Sequence, residues 1–463
     1  MSTSPAPLFL SHSSFIAISN PASCLWETSR EEHGWELKVM SAQGELKERF
    51  VTGYGLGSFA TGLYSTVPSV LLLYYCTEIL RIAPAAAGLV ILIPKLWSLF
   101  WDPLVGSWLD RSKRHMAAMK TGAFGLIAAF VTLFSTPILS QKMAVLWVAC
   151  SYFLMTTLYS LFSVPYTAYP ALIASDRDDR VLLISRRMMF VMLGVFSGAS
   201  GAPLIIEAAG GGRFGYSTMA TILAAICVLA MTTALASIRS GPPIKETYCI
   251  EVDLPRESPI ALLMQNQKFL WLSISFILQL SAVGGLMAMI PYIVTIDFAR
   301  SEGEVGASLA IMIGVTIISV PIWARIARQL GDRGALRLAS LLYAVSSVLV
   351  ACSFLILQSW YAFCLSLTVC GFSFAGLQVL PFTAVAHIIN ATSRGSGAFL
   401  NGVWTSLEKS GLAVGAALGA AALSVFERQE PHISAYFVFV VPTALCILAI
   451  FLIPRMAGAA SED

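Results

Sequence analysis

The sequence is dominated by apolar runs long enough to cross a bilayer, and they recur from Val51 almost to the C-terminus. A crossing helix needs about 20 mostly apolar residues. In hydrocarbon the backbone must satisfy its own hydrogen bonds, which leaves helices and closed barrels as the only solutions, and runs of this length read as helices. Charged residues make up only 12% of the 463-residue chain and hydrophobic ones 57%. Soluble domains carry about 25% charged residues, so this chain is not one. Twelve spans are expected, at about 52–80, 84–109, 117–139, 143–173, 183–207, 215–238, 269–297, 304–329, 335–356, 360–389, 397–424 and 433–454. The fold class is all-α integral membrane. Prolines within the spans (Pro68, Pro165, Pro170, Pro291, Pro321, Pro381) are compatible with this, because neighbouring helices re-satisfy the freed backbone groups.

The rest of the chain is organised around those spans. Residues 1–50 are a polar tail whose only apolar patch, Phe15-Ile16-Ala17-Ile18, is too short for a signal peptide and lacks its basic flank. Either the tail is disordered, or the natural start is Met40, where MSAQGELKERF leads straight into the first span. A six-helix bundle is expected over 51–238. A cytoplasmic linker over 239–268, containing Gly241-Pro242-Pro243, joins it to a second six-helix bundle over 269–455, and a short tail covers 456–463.

Basic residues set the orientation. One side holds Lys47, Arg49, Arg111, Lys113, Arg114, Arg177, Arg180, Arg239, Lys245, Arg256, Lys268, Arg333, Arg337, Arg394 and Arg455. The other holds only Arg81, Lys142, Arg213, Arg300 and Arg428. Positive loops face the cytoplasm, which puts both termini inside, in the cell (inner) membrane. The net charge of +3 gives no reason to expect a nucleic-acid partner. The nine cysteines show no CxxC pair or metal spacing and mostly sit inside apolar runs as small hydrophobes. No metal, cofactor or disulfide is expected.

The two bundles echo each other. Pro165-Tyr166-Thr167-Ala168 in span four matches Pro381-Phe382-Thr383-Ala384 in span ten. Asp102-Pro103 in span two matches Val320-Pro321 in span eight, each followed by a basic end. The offsets are 216 and 218 residues, and their agreement argues for a duplicated six-helix unit.

Within the apolar background, the stretch Lys95 to Arg114 (KLWSLFWDPLVGSWLDRSKR) stands out. Charge deep in a membrane helix is costly and marks function or a specific partner. Lys95 and Asp102 are seven residues apart, about two turns, and share a helix face. Asp102 is the candidate cation-coupling carboxylate, able to take up and release a proton; the structural alternative is an ion pair with Lys95 that holds helices together. Lys95 and Lys409 are candidates for an anionic substrate group or for neutralising Asp102. Lys409 beside Glu408 makes a poor pair, since adjacent helical residues diverge. Tyr64, Trp97, Trp101, Tyr166, Thr167, Gln279, Gln378 and Trp404 are candidates for lining a cavity, against the commoner role of packing or interface anchoring. His387 can titrate in the physiological range but is more often a packing residue.

The turn Gly106-x-x-x-Asp110-Arg111-x-Lys113-Arg114 resembles the signature loop of the major facilitator superfamily, with Ser112 where a glycine is usual. Further motifs resemble the glycoside–pentoside–hexuronide:cation symporters within it. They are Tyr54-Gly55-Leu56-Gly57-Ser58-Phe59, Tyr74-Tyr75-Cys76-Thr77-Glu78, the WxxxxDPxxG of Trp97 to Gly106, and Glu408-Lys409-Ser410-Gly411. The resemblance covers about 50–455. It implies alternating access about a midplane site, with spans two and eleven facing across the cavity. It also implies that Gly106, Asp110, Arg111 and Arg114 form a conformational latch. Departures are specific: the family's acid in span one is Gly62 here, one of two cation-site acids in span two is Ser98, and the acid of span four is Ser163. The basic residues remain, as Lys95, Arg187 or Arg186, and Lys409.

No GxxxxGK loop, HExxH or catalytic triad is present, so neither ATP-driven transport nor an enzyme is indicated. The expected function is symport of a small solute, sugar or glycoside-like by resemblance, with a cation, H⁺ rather than Na⁺ because a lone carboxylate suits a proton better than a hard cation. Transport of an amphipathic lipid or organic anion is the same-shape alternative; a membrane enzyme or non-transporting sensor is the alternative of another class. Expected partners are substrate, co-transported cation and membrane lipid, with the protein a monomer.

Overall fold

A computed structural model of the chain describes residues 25–112, 114–173, 177–241, 267–392, 397–425 and 433–453. The tail before Leu25, Lys113, residues 174–176, linker residues 242–266, Arg394 and the tail from residue 454 lie outside the described residues. Contacts divide the chain into two compact units, 1–50 and 51–463. What is described of the first is helical from Leu25 onward.

Every described element is helical. They are α1 (Leu25–Tyr74), extended by the π-helical turn Tyr75–Ile79, then α2 (Pro84–Ser112), α3 (His115–Phe134) and α4 (Gln141–Ile173). Next come α5 (Arg177–Phe196), the π-turn Ser197–Gly201, α6 (Ala202–Ala208) and α7 (Gly212–Ser240). After the linker follow α8 (Gln267–Tyr292) with the π-turn Ile293–Asp297, α9 (Glu302–Leu355), α10 (Trp360–Thr392), α11 (Gly397–Val425) and α12 (Ile433–Leu452). Among the described residues nine helical stretches are long and apolar enough to cross a membrane. One is the 54-residue α9. At 1.5 Å per residue it runs about 80 Å, more than twice a bilayer's hydrocarbon thickness. It is broken at Gly331, whose φ of 69° only glycine adopts freely. The break falls between the spans expected at 304–329 and 335–356.

The second part of the chain repeats the first at one offset. The π-turns at Tyr75–Ile79 and Ile293–Asp297 are 218 residues apart, and so are the helices that follow, starting at Pro84 and Glu302. The Leu80 amide donates to the Tyr75 carbonyl and the Phe298 amide to that of Ile293, both at 3.0 Å. Ile82 to Cys76 and Arg300 to Val294 repeat the next bond. Arg81 and Ala299 both take positive φ, 58° and 50°. The repeats also meet. Tyr74 and Tyr292 pack edge to face at 5.2 Å. Thr77 Oγ1 and the Tyr292 hydroxyl share a 2.6 Å hydrogen bond, and the Tyr74 hydroxyl lies beside Thr295. Each contact is the 218-residue mate of the other, as a pseudo-two-fold relation requires.

Burial sorts the helices. Nearly all of the apolar window of α8 and most of that of α1 are buried, against a third for α2 and α4. On α2, Leu89, Ile93, Leu96, Phe100, Leu104 and Trp108 are exposed, a stripe at helical spacing that suits lipid. The opposite stripe runs Ile91, Lys95, Ser98, Asp102, Val105, Leu109 and is buried or half-buried. The pattern that makes α2 a lipid-facing helix also turns its two charges inward.

Candidate functional site

The inward stripe of α2 meets α11. Lys409 Nζ donates to Asp102 Oδ2 at 2.7 Å, joining residues 307 apart across the two repeats. The side chains are 23% and 12% exposed, so the pair is largely out of water. Asp102 is ten residues before the end of α2 and Lys409 twelve after the start of α11. At 1.5 Å per residue that is about 15–18 Å from the Arg111–Arg114 end, near mid-depth of a ~30 Å core. Asp102 Oδ1 is buried and has no hydrogen-bond partner among the described residues.

Lys95 does not take Asp102. Its ammonium stands 5.9 Å over the Tyr152 ring, with Asp102 and Lys409 both in its electrostatic surroundings. Lys409 likewise lies 5.3 Å over Tyr159, a cation–π contact from α4. Ser98 turns its hydroxyl back to the Lys95 carbonyl at 2.7 Å. Gln378 on α10 is at the site: its amide donates to Glu408 Oε1 at 2.8 Å. Adjacent residues on a helix diverge by about 100°, which lets Lys409 serve α2 while Glu408 serves α10.

Other expected residues lie elsewhere. Tyr64 is fully buried, edge-on to Phe130 at 4.8 Å with its hydroxyl beside Cys227, and packs inside the first repeat. Trp101 donates to the Thr157 carbonyl at 3.1 Å and packs on Val105, Leu109 and Ala118, so it faces α3 and α4 although Asp102 is its neighbour in sequence. Thr167 is exposed and bonds back to the Val164 carbonyl. Trp404 is stacked on Phe276 at 4.2 Å, and Gln279 donates to Ser340, both in packing roles. Arg187 is half-buried within electrostatic reach of Tyr159 and Tyr166. Arg111 and Arg114 are exposed; Gly106 has open space beside it, the nearest atom to a β-carbon there being Val164 Cγ1 at 3.9 Å. The side chains of Asp110 and His387 lie outside the described residues.

The departure at Gly62 has a steric reason. A β-carbon there would press on the Val191 carbonyl oxygen of α5, so no acidic side chain fits without separating α1 from α5. Ser163, at the third missing acid, is buried.

Two features were not drawn from the sequence. Tyr54 and Tyr166 hydrogen-bond reciprocally, each hydroxyl donating to the other's backbone carbonyl. The pairing is set by three-dimensional approach, and the only hint is that both lie in quoted motifs. The contacts at the end remote from the Arg111–Arg114 turn were legible as Tyr-x-x-Thr at 74–77 and again at 292–295. There α6 and α9 also meet closely. A β-carbon at Gly306 would press on the Ser200 carbonyl, and the Glu207 carboxylate occupies the place of one at Gly303.

A helical membrane body, an internal repeat and, among the described residues, an ion pair joining the repeats are the features that a membrane transporter family would share. The family described as MFS/sugar transport protein matches residues 53–457, and the chain belongs to it. A 208-residue stretch is 28% identical to YagG of Escherichia coli, a candidate glycoside/cation symporter, covering 43% of this chain and 44% of that one. The isoprimeverose transporter of Lactiplantibacillus pentosus is 24% identical over 65% of this chain and 64% of its own. The sphingosine-1-phosphate transporter MFSD2B of Xenopus tropicalis is 24% identical over 80% and 78%. Among solved structures, that of a D-xylose–proton symporter superposes with a TM-score of 0.68 at 12% identity, over 89% of this chain and 99% of that one. At that identity the likeness is one of fold.

Proposed function

We propose that this protein is a secondary active symporter that moves a small sugar or glycoside with a cation, H⁺ in preference to Na⁺, by alternating access. The observation that carries this is the Asp102–Lys409 pair, which ties α2 to α11 near mid-depth. An ion pair between two repeats is a bistable element: protonating Asp102, or placing an anionic group on Lys409, removes the attraction that holds the helices together. At the position beside Asp102 a serine stands in place of a second carboxylate, and a hard cation wants several negatively charged oxygens.

The architecture that goes with this reading is twelve crossings in two six-helix bundles, 51–238 and 269–455, counting α9 as two crossings and α5 with α6 as one. The basic loops place both termini in the cytoplasm, in the cell (inner) membrane, with the protein a monomer. Asp110, Arg111 and Arg114 serve as the cytoplasmic latch beside Gly106. Lys95, Arg187 and Gln378 line the substrate path with Lys409, while Tyr64, Trp101 and Thr167 support it from the first bundle. With the termini inside, the contacts among Tyr74, Thr77 and Tyr292 face the outside and close that end.

A second reading, transport of an amphipathic lipid anion, is favoured by one observation: acids are replaced at Gly62, Ser98 and Ser163 while Lys95, Arg187 and Lys409 persist. Uptake by proteoliposomes of isoprimeverose and of sphingosine-1-phosphate, each under a pH gradient and under a sodium gradient, separates the readings. Sugar uptake driven by external acid is expected; uptake driven by sodium alone overturns the proton assignment, and uptake of the lipid alone overturns the sugar assignment.

A further inference from the structure

Two carboxylates stand at the centre, and among the described residues only one is in a salt bridge. Asp102 takes Lys409 at 2.7 Å. Glu408, the next residue on α11, has a neutral partner, the Gln378 amide at 2.8 Å. Lys95, the remaining nearby ammonium, stands over Tyr152. An ionised carboxylate in the membrane interior with only an amide donor is costly, whereas the protonated acid is stable there. In that form Oε1 accepts from Gln378 and Oε2 carries the proton. We infer that Glu408 is a proton-carrying group of the transport cycle, supplying from α11 the second carboxylate that α2 lacks at Ser98.

The charged or titratable groups within reach of Glu408 are Lys409 on α11 and Tyr159 on α4, which also senses Asp102 and Arg187; Lys95 and Asp102 of α2 lie beyond Lys409. Residues 269–296 of α8, 360–385 of α10 and 433–452 of α12 contain no Asp, Glu, Lys, Arg or His. While α2 and α11 are joined, Asp102 neutralises Lys409 and Glu408 keeps its proton. When the helices part, Asp102 leaves with α2, where Lys95 lies two turns away on the same face. Lys409, no longer neutralised by Asp102, then favours the ionised form of Glu408 through space without pairing with it, and Glu408 releases its proton to cavity water. This rests on the reading of Asp102–Lys409 as the coupling pair.

The test is infrared spectroscopy of the purified full chain in lipid nanodiscs, following the carbonyl stretch of protonated carboxyl groups between neutral and alkaline pH. Wild type is expected to show a band that disappears on alkalinisation and shifts in D₂O. E408Q loses it, and E408D restores it, which separates a titrating role from a packing one. A band that persists in E408Q, or none in wild type, overturns the inference. The spectrum needs no substrate, so its failure is distinguishable from failure of the transport reading, which vesicle uptake reports.

Discussion

The two repeats share a backbone and differ in equipment. The turns after α1 and α8 match bond for bond at 218 residues, down to the positive φ of Arg81 and Ala299. The side chains inside do not match. In the first repeat Tyr54 and Tyr166 exchange hydrogen bonds; in the second, Phe382 packs against Phe276 and Trp404 near the related position. The first repeat contributes Asp102 and Lys95, the second Glu408, Lys409 and Gln378. Helix ends and turns are dictated by backbone geometry that a duplication carries along. The polar groups are held by single contacts and are free to diverge, so asymmetry in the centre is where function should be sought.

The largest effect that would sharpen this comparison is on transport. D102N should lower gradient-driven uptake at least 100-fold while leaving protein in the membrane. Wild-type uptake by D102N would show that the central asymmetry is not functional.

Stability comes next. Removing one partner of a mostly buried pair leaves a lone charge and costs about 3–5 kcal/mol, whereas removing both costs less. Thermal unfolding in detergent should therefore rank K409Q below the D102N/K409Q double variant. If the double variant is the least stable, the two residues do not interact.

Steric closure is the third contrast. Gly306→Val places atoms where α9 meets the Ser200 carbonyl and should hold that end apart, at a cost of about 1–3 kcal/mol to the closed state. A cysteine placed at Val305 should then react faster with a membrane-impermeant maleimide; an unchanged rate would mean that this contact does not close the protein.

The smallest effect tests the symmetry itself. Thr77→Ala and Thr295→Ala remove mated contacts. Each should cost about 0.6 kcal/mol, the average for interhelical hydrogen bonds in membranes. A several-fold difference between them in the same maleimide assay would break the equivalence of the repeats.

Much of the fold was legible because membrane crossing demands long apolar helices and the repeat left matching prolines. The break within α9 was readable too, since Gly331-Asp332-Arg333 marks it. The site was legible in part. Asp102 and Lys409 stand out as charges in apolar runs, but their pairing does not, because the nearer candidate in sequence was Lys95, on the same helix face. Glu408 was read only as part of a motif; its hydrogen bond to Gln378 depends on how α10 approaches α11, which no spacing encodes. Tyr64 and Trp101 are aromatic residues in spans like many others, and only packing shows that they face away from the pair.

The most direct test of the central claim, that opening of the Asp102–Lys409 pair is coupled to a proton, is a pH-electrode measurement on lightly buffered vesicles containing the protein. Adding the transported solute should alkalinise the medium with wild type and leave it unchanged with D102N. Sodium-dependent solute uptake with no change in external pH would contradict it.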